Sequence, residues 1–245
     1  MDIIEFKQVF KSFGQKDVLK DTSLSVKEGE TITILGGSGT GKSVFLKLLL
    51  GVMKPDEGEI FYRGENIVEM NEQRLTEMRK KIGMLFQGAA LLDSLSVREN
   101  VAYPLRQHFK LKDDELEQRV QEKLSLVGLP DSLDLYPSEL SGGMKKRVGL
   151  ARAIATDPEI ILYDEPTTGL DPANTKRINH LIKELQKKLS VTSIAVTHDI
   201  ESAFFISDRF ALLKNHSFRF VGTKEEAKHS TDEVVQGFLN GELEE

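Results

Sequence analysis

The stretch "TITILGGSGTGKS", residues 31–43, decides the fold, because an apolar run ends in glycines and is followed by a lysine, a serine and a helix-like pattern. Residues 36–43 match G-x-x-x-x-G-K-[ST], with a predicted strand before and a predicted helix after. Glycines let backbone N–H groups turn toward an anion, and the helix N-terminus adds partial positive charge. Lys42 then reaches the β- and γ-phosphates, and the Ser43 hydroxyl suits Mg²⁺. The stretch predicts a nucleotide site; the alternative is a glycine-rich turn with a solvated lysine.

The pattern on both sides of this loop predicts an α/β fold. Residues 1–87 and 158–222 read as strands alternating with helices, and they are expected to form a P-loop core with an antiparallel β subdomain. Residues 88–157 read as mostly helical and are expected to form a helical subdomain. A charged, helical tail comes last, at residues 223–245, either binding a neighbour or solvated. The prediction is one domain over residues 1–245.

Composition narrows the class of protein. The chain of 245 residues carries a net charge of −6 and has no cysteine, which excludes disulfides and thiolate metal sites. The charge gives no global attraction to nucleic acid, although a local basic patch stays open. The N-terminus lacks a signal-peptide pattern, and the most apolar helix-like stretch is short and contains Lys47. Any membrane role is therefore expected to come through a partner.

An acidic pair comes directly after a second apolar run in "IILYDEP", residues 160–166. Ligands of open α/β sheets bind where parallel strands end. Asp164 suits a water-mediated Mg²⁺ ligand, and Glu165 is placed to polarise a water for attack on the γ-phosphorus. The alternative is an ordinary pair of turn acids that cap the next segment of the chain.

A second glycine-rich helix start lies in "LSGGMKKRVGLARAIA", residues 140–155. Ser141 is the expected N-cap, and the helix after it carries Lys145, Lys146, Arg147 and Arg152. Such a helix start suits an anion. The alternative is a well-capped amphipathic helix with a basic exposed face.

The phosphate loop, "LSGGM", "LYDEPTTGLDP" and "THD", in this order and spacing, resemble the ATP-binding cassette (ABC) ATPases over essentially the whole chain. The resemblance implies ATP and Mg²⁺ as cofactors and a head-to-tail homodimer, in which the "LSGGM" loop completes the ATP site of a second copy. Met144 departs from the usual glutamine of this loop. Since Ser141 and Gly143 are expected to contact the γ-phosphate, the change should be tolerated.

Individual positions carry over from the same resemblance. Phe13 matches the aromatic that stacks on adenine, with a core aromatic as the alternative. Asp171 matches a loop at the dimer seam, and it also suits a helix N-cap before Pro172. His198 matches the histidine that contacts the γ-phosphate, and Gln87 the glutamine near Mg²⁺ and the attacking water. Catalytic roles are implied for Lys42, Gln87, Glu165 and His198, and Mg²⁺ ligation for Ser43, Gln87 and Asp164. The full set implied to bind nucleotide is Phe13, Val18, Gly36, Gly37, Ser38, Gly39, Thr40, Gly41, Lys42, Ser43, Val44, Gln87, Ser141, Gly142, Gly143, Asp164, Asp171 and His198.

The loop after Gln87, "GAALLDSLSVREN", is similar to that of the ATPases of Mla/Mce-type lipid transporters. Its small and apolar residues, Ala89, Ala90, Leu91 and Leu92, are expected to be exposed for a permease; alternatively, the two leucines pack into the helical subdomain. The resemblance implies lipid movement between inner and outer membranes, from the cytoplasmic face of the inner membrane.

The implied partners are an integral-membrane permease, an MCE-domain protein and, in some systems, a small STAS-domain protein, with no nucleic acid. Open alternatives are a transporter ATPase for another substrate, such as amino-acid import or lipoprotein release, a soluble ABC ATPase of DNA repair or translation, and a regulatory module that binds ATP without turnover.

Overall fold

A computed structural model describes residues 1–240, apart from the side chain of Phe238. Over these residues it has ten strands, nine α-helices and two short 3₁₀ helices. The strands are β1 (Asp2–Phe13), β2 (Lys16–Lys27), β3 (Thr31–Leu35), β4 (Glu57–Tyr62), β5 (Glu65–Asn66), β6 (Ile82–Leu85), β7 (Ile160–Asp164), β8 (Thr192–Thr197), β9 (Arg209–Lys214) and β10 (Ser217–Gly222). The helices are α1 (Lys42–Leu49), α2 (Glu72–Arg79), α3 (Val97–His108), α4 (Asp113–Leu126), α5 (Gly142–Ala153), α6 (Pro172–Leu189), α7 (Ile200–Ile206), α8 (Lys224–Lys228) and α9 (Glu233–Leu239). The 3₁₀ helices are Ile67–Glu69 and Pro137–Glu139.

The chain divides into two compact units. The first contains residues 1–77 and the described residues from 192 onward, and the second contains residues 78–191. The α/β fold class predicted from the sequence, with an antiparallel sheet and a helical part, is confirmed. The predicted subdomain boundaries at 87/88 and 157/158 stay a prediction. No helix within residues 1–240 has both the length and the apolar character that a membrane crossing requires.

The first unit contains the antiparallel sheet, with strand order β2-β1-β4-β5. Phe6 in β1 pairs with Leu24 in β2 and with Ile60 in β4, and all three side chains are buried. Strand alternation thus builds one apolar face. The ring of Phe45 in α1 stacks on Phe6 with ring centroids 4.0 Å apart, so this face fixes the helix that comes after the phosphate loop.

The first unit also holds four adjacent strands in the order β10-β9-β3-β8. β3 pairs in parallel with β8 and β9, and all of its residues are buried, as expected of a strand covered on both faces. β9 and β10 form a hairpin whose turn residues, Asn215 and His216, both have positive φ. Because this turn has a histidine where glycine is the usual hairpin signal, the local sequence does not predict β10.

The second unit is built around α5. β6 and β7 pair in parallel, with Leu85 opposite Tyr163. α5 packs on β6 and also contacts α3, α4 and α6. A Cβ atom on Gly83 would lie 2.1 Å from the carbonyl oxygen of Ala153, so the strand approaches the helix end as closely as backbone allows. α5 is therefore the central helix of this unit.

The C-terminal segment packs into the core of the first unit. Ala227 in α8 and Val235 in α9 are buried in one apolar cluster with Leu35, Phe210 and other residues. The predicted helical character is confirmed for Lys224–Lys228 and Glu233–Leu239, but the alternative of a merely solvated tail is wrong there, because Ala227 and Val235 are buried. Residues 241–245 of that prediction lie outside the described part of the chain.

Candidate nucleotide-binding and hydrolysis site

The phosphate loop joins β3 to α1, as predicted. A Cβ atom on Gly36 would lie 2.7 Å from the carbonyl oxygen of Leu213. At Gly41 the φ angle is 107°, and a Cβ atom would lie 2.8 Å from Cγ1 of Val18. Neither position has room for a side chain, so at Gly36 and Gly41 the phosphate loop (the cradle) presents backbone only. This is an observation that fits an anion held by backbone N–H groups.

Lys42 lies at the start of α1 and is 7% exposed. Its Nζ donates to the carbonyl oxygens of Gly36 at 2.8 Å and Gly37 at 2.9 Å. The ammonium is thereby folded over the loop that it closes. Ser43, the next residue, is exposed at the first turn of the helix.

The sheet of the first unit brings His198 to the same edge as this loop. Leu35 pairs with Thr197, so Gly36 and His198 each follow one member of that pair. The His198 side chain is exposed. Its neighbour Asp199 caps α7 by accepting from the Ser202 backbone N–H at 3.1 Å.

Phe13 ends β1 and is 48% exposed. The alternative that this ring is a core aromatic is therefore wrong. An exposed aromatic face is what stacking on a base requires.

The second unit brings Gln87 and Glu165 together. Leu85 and Tyr163 pair in register, so Gln87 and Glu165 each lie two residues beyond that pair, at one edge. Glu165 is 9% exposed and has a left-handed backbone, with φ 48°, and its Oε2 accepts from Thr168 Oγ1 at 3.0 Å. The carboxylate that was predicted to polarise water is thus held in one orientation.

Lys146 connects these two residues. Its side chain is 4% exposed, and its Nζ donates to the backbone carbonyls of Gln87 and of Glu165, the latter at 3.1 Å. Burial lowers the pKa of Lys146, and the charges of Glu165 and Asp164 oppose that shift. The alternative of a basic exposed face on α5 is wrong at this position. Sequence spacing gave no signal for it, because only the fold brings the strand ends to the helix.

The loop after Gln87 is also held by α5. The guanidinium of Arg152 donates to the carbonyl oxygens of Ala89 and Ala90, both at 2.6 Å. Ala89 is 1% exposed, so the prediction that it faces solvent is wrong, whereas Leu92 is 42% exposed and Leu91 is half-buried. The alternative that both leucines pack inside does not hold for Leu92.

The "LSGGM" loop and Asp171 are neighbours in the second unit. Ser141 caps α5 by accepting from the Met144 backbone N–H, and Asp171 caps α6 by accepting from the N–H groups of Ala173 and Asn174 at 3.0 Å. Hydrogen bonds from Asn174 hold the pKa of Asp171 below its usual value. A Cβ atom on Gly143 would lie 2.8 Å from Oδ1 of Asn174. The helix-cap interpretation of both Ser141 and Asp171 is confirmed.

Comparison with known protein families shows which family this chain belongs to. Residues 19–168 match the sequence profile of a family described as "ABC transporter". The chain belongs to the ABC transporter family. As an ABC ATPase it binds ATP and hydrolyses it for a transporter, as predicted.

This ABC ATPase has relatives that are similar over nearly the whole of this chain. It is 43% identical over 238 residues to the probable ribonucleotide transport ATP-binding protein mkl of Mycobacterium leprae, covering 97% of this chain and 69% of the relative. Other mycobacterial relatives of that name are longer, and the chain spans 66% of them. It is 42% identical over 241 residues to the intermembrane phospholipid transport system ATP-binding protein MlaF of Haemophilus influenzae, covering 98% and 91% of the two chains.

Solved structures of ABC cassettes resemble this ABC ATPase, and one of them contains bound products. It is the dimeric structure of a post-hydrolysis state of the ATP-binding cassette MJ0796, bound to ADP and Pi. The TM-score is 0.81 at 35% sequence identity, and the match covers 90% of this chain and 98% of that one. The predicted cassette fold is thereby confirmed.

Proposed function

We propose that this ABC ATPase drives a permease that moves phospholipids or related lipids between the inner and outer membranes. The observation that carries the proposal is the 42% identity to MlaF of Haemophilus influenzae over 98% of this chain and 91% of that protein. The sequence of the loop after Gln87 points the same way. The whole transporter is proposed to include, besides the permease, an MCE-domain protein and a small STAS-domain protein.

The proposed nucleotide contacts follow from the family motifs. The backbone of residues 36–41 and the Lys42 ammonium bind the phosphates, with Val18 and Val44 beside them. Phe13 stacks on the base, and its 48% exposure supports this role. His198 donates to the γ-phosphate from the strand edge that also carries the loop.

Mg²⁺ is proposed to be held by Ser43, Gln87 and Asp164. Hydroxyl, amide and carboxylate oxygens are hard ligands that suit this ion. The described residues contain no group of three or more His, Cys, Asp and Glu side chains able to hold a metal. Mg²⁺ is usually bound through one or two carboxylates together with the nucleotide phosphates. When bound, the ion neutralises charge on the phosphates.

Glu165 is proposed to orient and polarise the attacking water. Its low exposure and its hydrogen bond from Thr168 support a fixed carboxylate. A carboxylate placed beside water favours in-line attack, and the cations of the phosphate loop stabilise the charge that develops on the γ-phosphoryl group. Ser141, Gly142 and Gly143 are proposed to act on the ATP of a second copy, with Asp171 at the dimer seam.

The permease is proposed to dock on the second unit near the loop after Gln87. Leu92 is 42% exposed and Phe86, on the other side of Gln87, is 43% exposed. Apolar side chains of this size at the surface suit a partner. The ATPase is accordingly proposed to bind at the cytoplasmic face of the inner membrane through the permease.

The test of the catalytic proposal is Glu165→Gln. The amide keeps the shape but loses the charge, so we expect hydrolysis to fall by about a hundredfold or more while ATP binding is kept. Glu115→Gln, an exposed site on α4, is the control and should keep wild-type turnover. Steady-state phosphate release and binding of a fluorescent ATP analogue give the two readouts. Wild-type turnover in E165Q would show that Glu165 has another role.

The substrate is tested with the complete transporter. The name of mkl favours a second candidate, transport of ribonucleotides or another solute. Reconstituted vesicles that contain labelled phospholipid and the permease complex should transfer lipid only with Mg·ATP and wild-type ATPase. Transfer of labelled ribonucleotide in place of lipid would favour the second candidate. Recovery with ribosomes or DNA, without a permease, would contradict both.

A further inference from the structure

α5 presents two cations to the residues that carry the proposed chemistry. Lys146, Gly149 and Arg152 are spaced three apart and therefore lie along one side of the helix. Lys146 binds the carbonyls of Gln87 and Glu165, and Arg152 binds those of Ala89 and Ala90. All these contacts lie within the second unit.

The carbonyls that these cations bind belong largely to strained residues. Ala89, Ala90 and Glu165 have φ angles of 61°, 48° and 48°. Residues with a Cβ atom disfavour this left-handed region, and such conformations persist only where surrounding contacts hold them. Charge-assisted hydrogen bonds to the carbonyls are contacts of that kind.

The loop also packs closely against α5. A Cβ atom on Gly149 would lie 3.1 Å from Cβ of Ala89 and 2.9 Å from Cδ1 of Leu85, so helix and loop are already in close contact. The loop is therefore fixed between a tight apolar contact and two cations. At the position of Lys146 the side chain of α5 also contacts Glu165, the residue that follows β7.

We propose that Lys146 is a positioning residue for ATP hydrolysis, whose ammonium locks the backbone of Gln87 to that of Glu165, while Arg152 locks the loop after Gln87. The proposal rests on the role of Glu165 proposed above. Release of the Glu165 carbonyl lets this residue leave the left-handed region, and its carboxylate then turns away from the orientation in which Thr168 holds it. A lysine suits the position because its ammonium donates to two carbonyls at once.

The deciding variant is Lys146→Met, which keeps most of the apolar part of the side chain but removes the donors. We expect kcat for Mg·ATP to fall about tenfold to a hundredfold, since a catalytic group shifted by about 1 Å loses that much. KM should stay within about twofold, because the phosphate loop is untouched. Lys146→Arg keeps charge and donors and should recover part of kcat.

Lys123→Met is the matched control. Lys123 is 3% exposed, lies on α4, and its Nζ binds a carboxylate oxygen of Asp157 at 2.6 Å. Asp157 also has a left-handed backbone, with φ 50°. This variant removes an equally buried ammonium beside another strained residue. It therefore measures how much the loss of a buried lysine changes stability and kcat when Gln87 and Glu165 keep their contacts. Its kcat should stay at the wild-type value, with thermal unfolding confirming that both variants are folded.

Amide hydrogen exchange of the full chain gives a second readout. In Lys146→Met, exchange should accelerate both in residues 87–92 and in residues 165–168. In Arg152→Met, it should accelerate in residues 87–92 only. A purely space-filling lysine would not couple these two segments.

Several results would overturn the positioning role: a folded Lys146→Met with kcat within about twofold of wild type, an equal loss in Lys123→Met, or no recovery in Lys146→Arg. These failures are distinguishable from failure of the proposed function. Turnover in Glu165→Gln overturns the role of Glu165, whereas an inactive Glu165→Gln with a fully active Lys146→Met overturns only the role of Lys146.

Discussion

Two loops of this ABC ATPase contain residues with positive φ angles, and the two loops stabilise them by different means. The phosphate loop uses glycine where φ is positive, at Gly39 and Gly41. The loop after Gln87 has alanine at such positions, Ala89 and Ala90, although a glycine, Gly88, precedes them. In the first loop the residue type permits the shape. In the second the shape is held by the side chain of Arg152 on a helix distant in sequence.

The difference suggests different tasks. A glycine loop keeps its shape without support and leaves backbone N–H groups available for a ligand. An alanine loop in the left-handed region depends on what holds it, so it changes shape when that support changes. The first loop thus suits a constant binding cradle, and the second suits a segment that responds to a neighbour.

The first prediction tests whether the ammonium of Lys42 in the phosphate loop binds ATP. Lys42→Ala removes the ammonium that folds over Gly36 and Gly37, so we expect kcat/KM for ATP to fall on the order of a hundredfold or more, as for loss of an electrostatic stabiliser of developing charge. Phosphate release and nucleotide-binding assays measure the loss.

Lys47→Ala is the control for that variant, because it removes an exposed lysine from the same helix. It should keep wild-type affinity. If Lys42→Ala bound and hydrolysed ATP normally, the phosphate loop would not be the nucleotide site.

The second prediction tests whether glycine sets the shape of the cradle. Gly41→Ala places a Cβ atom 2.8 Å from Val18 Cγ1 at a φ of 107°, so we expect the free energy of unfolding to drop by about 1–3 kcal/mol. Gly14→Ala separates strain from clash, since Gly14 has φ 61° and nothing within 4 Å of an added Cβ atom. That variant should lose only about 1 kcal/mol in chemical denaturation. Equal losses would mean that Val18 moves aside freely.

The sequence predicts the phosphate loop, but it does not predict the hydrogen bonds from Lys146 to the backbones of Gln87 and Glu165. Gly36, Lys42 and Ser43 are close in sequence, and their spacing encodes a strand, a loop and a helix directly. Lys146 and Gln87 are separated by 59 positions, and their contact exists only because β6 packs on α5. Likewise, Val235 in the predicted tail is buried because β9 and α7 provide apolar side chains there. Local pattern predicts elements and contiguous motifs, whereas contacts made by tertiary packing have no local signature.

The third prediction exchanges the means by which the second loop is held. Ala90→Gly relieves a left-handed conformation that costs about 1–2 kcal/mol and adds about 0.5–1 kcal/mol of backbone entropy loss on folding. The net change in the free energy of unfolding should therefore be a gain between about 0 and about 1.5 kcal/mol. Ala173→Gly, at an exposed position in α6, has no strain to relieve and should instead lose about 0.5–1 kcal/mol.

The same substitution shows whether Arg152 offsets the strain at Ala90. In the wild-type background Arg152→Met removes two carbonyl hydrogen bonds and leaves both alanines strained. With glycine at position 90 one of those residues no longer needs support, so Arg152→Met should cost less, with a coupling of about 0.5–1 kcal/mol in a double-mutant cycle. Zero coupling would mean that Arg152 binds the loop without holding its backbone, and the contrast between the two loops would then reduce to sequence composition alone.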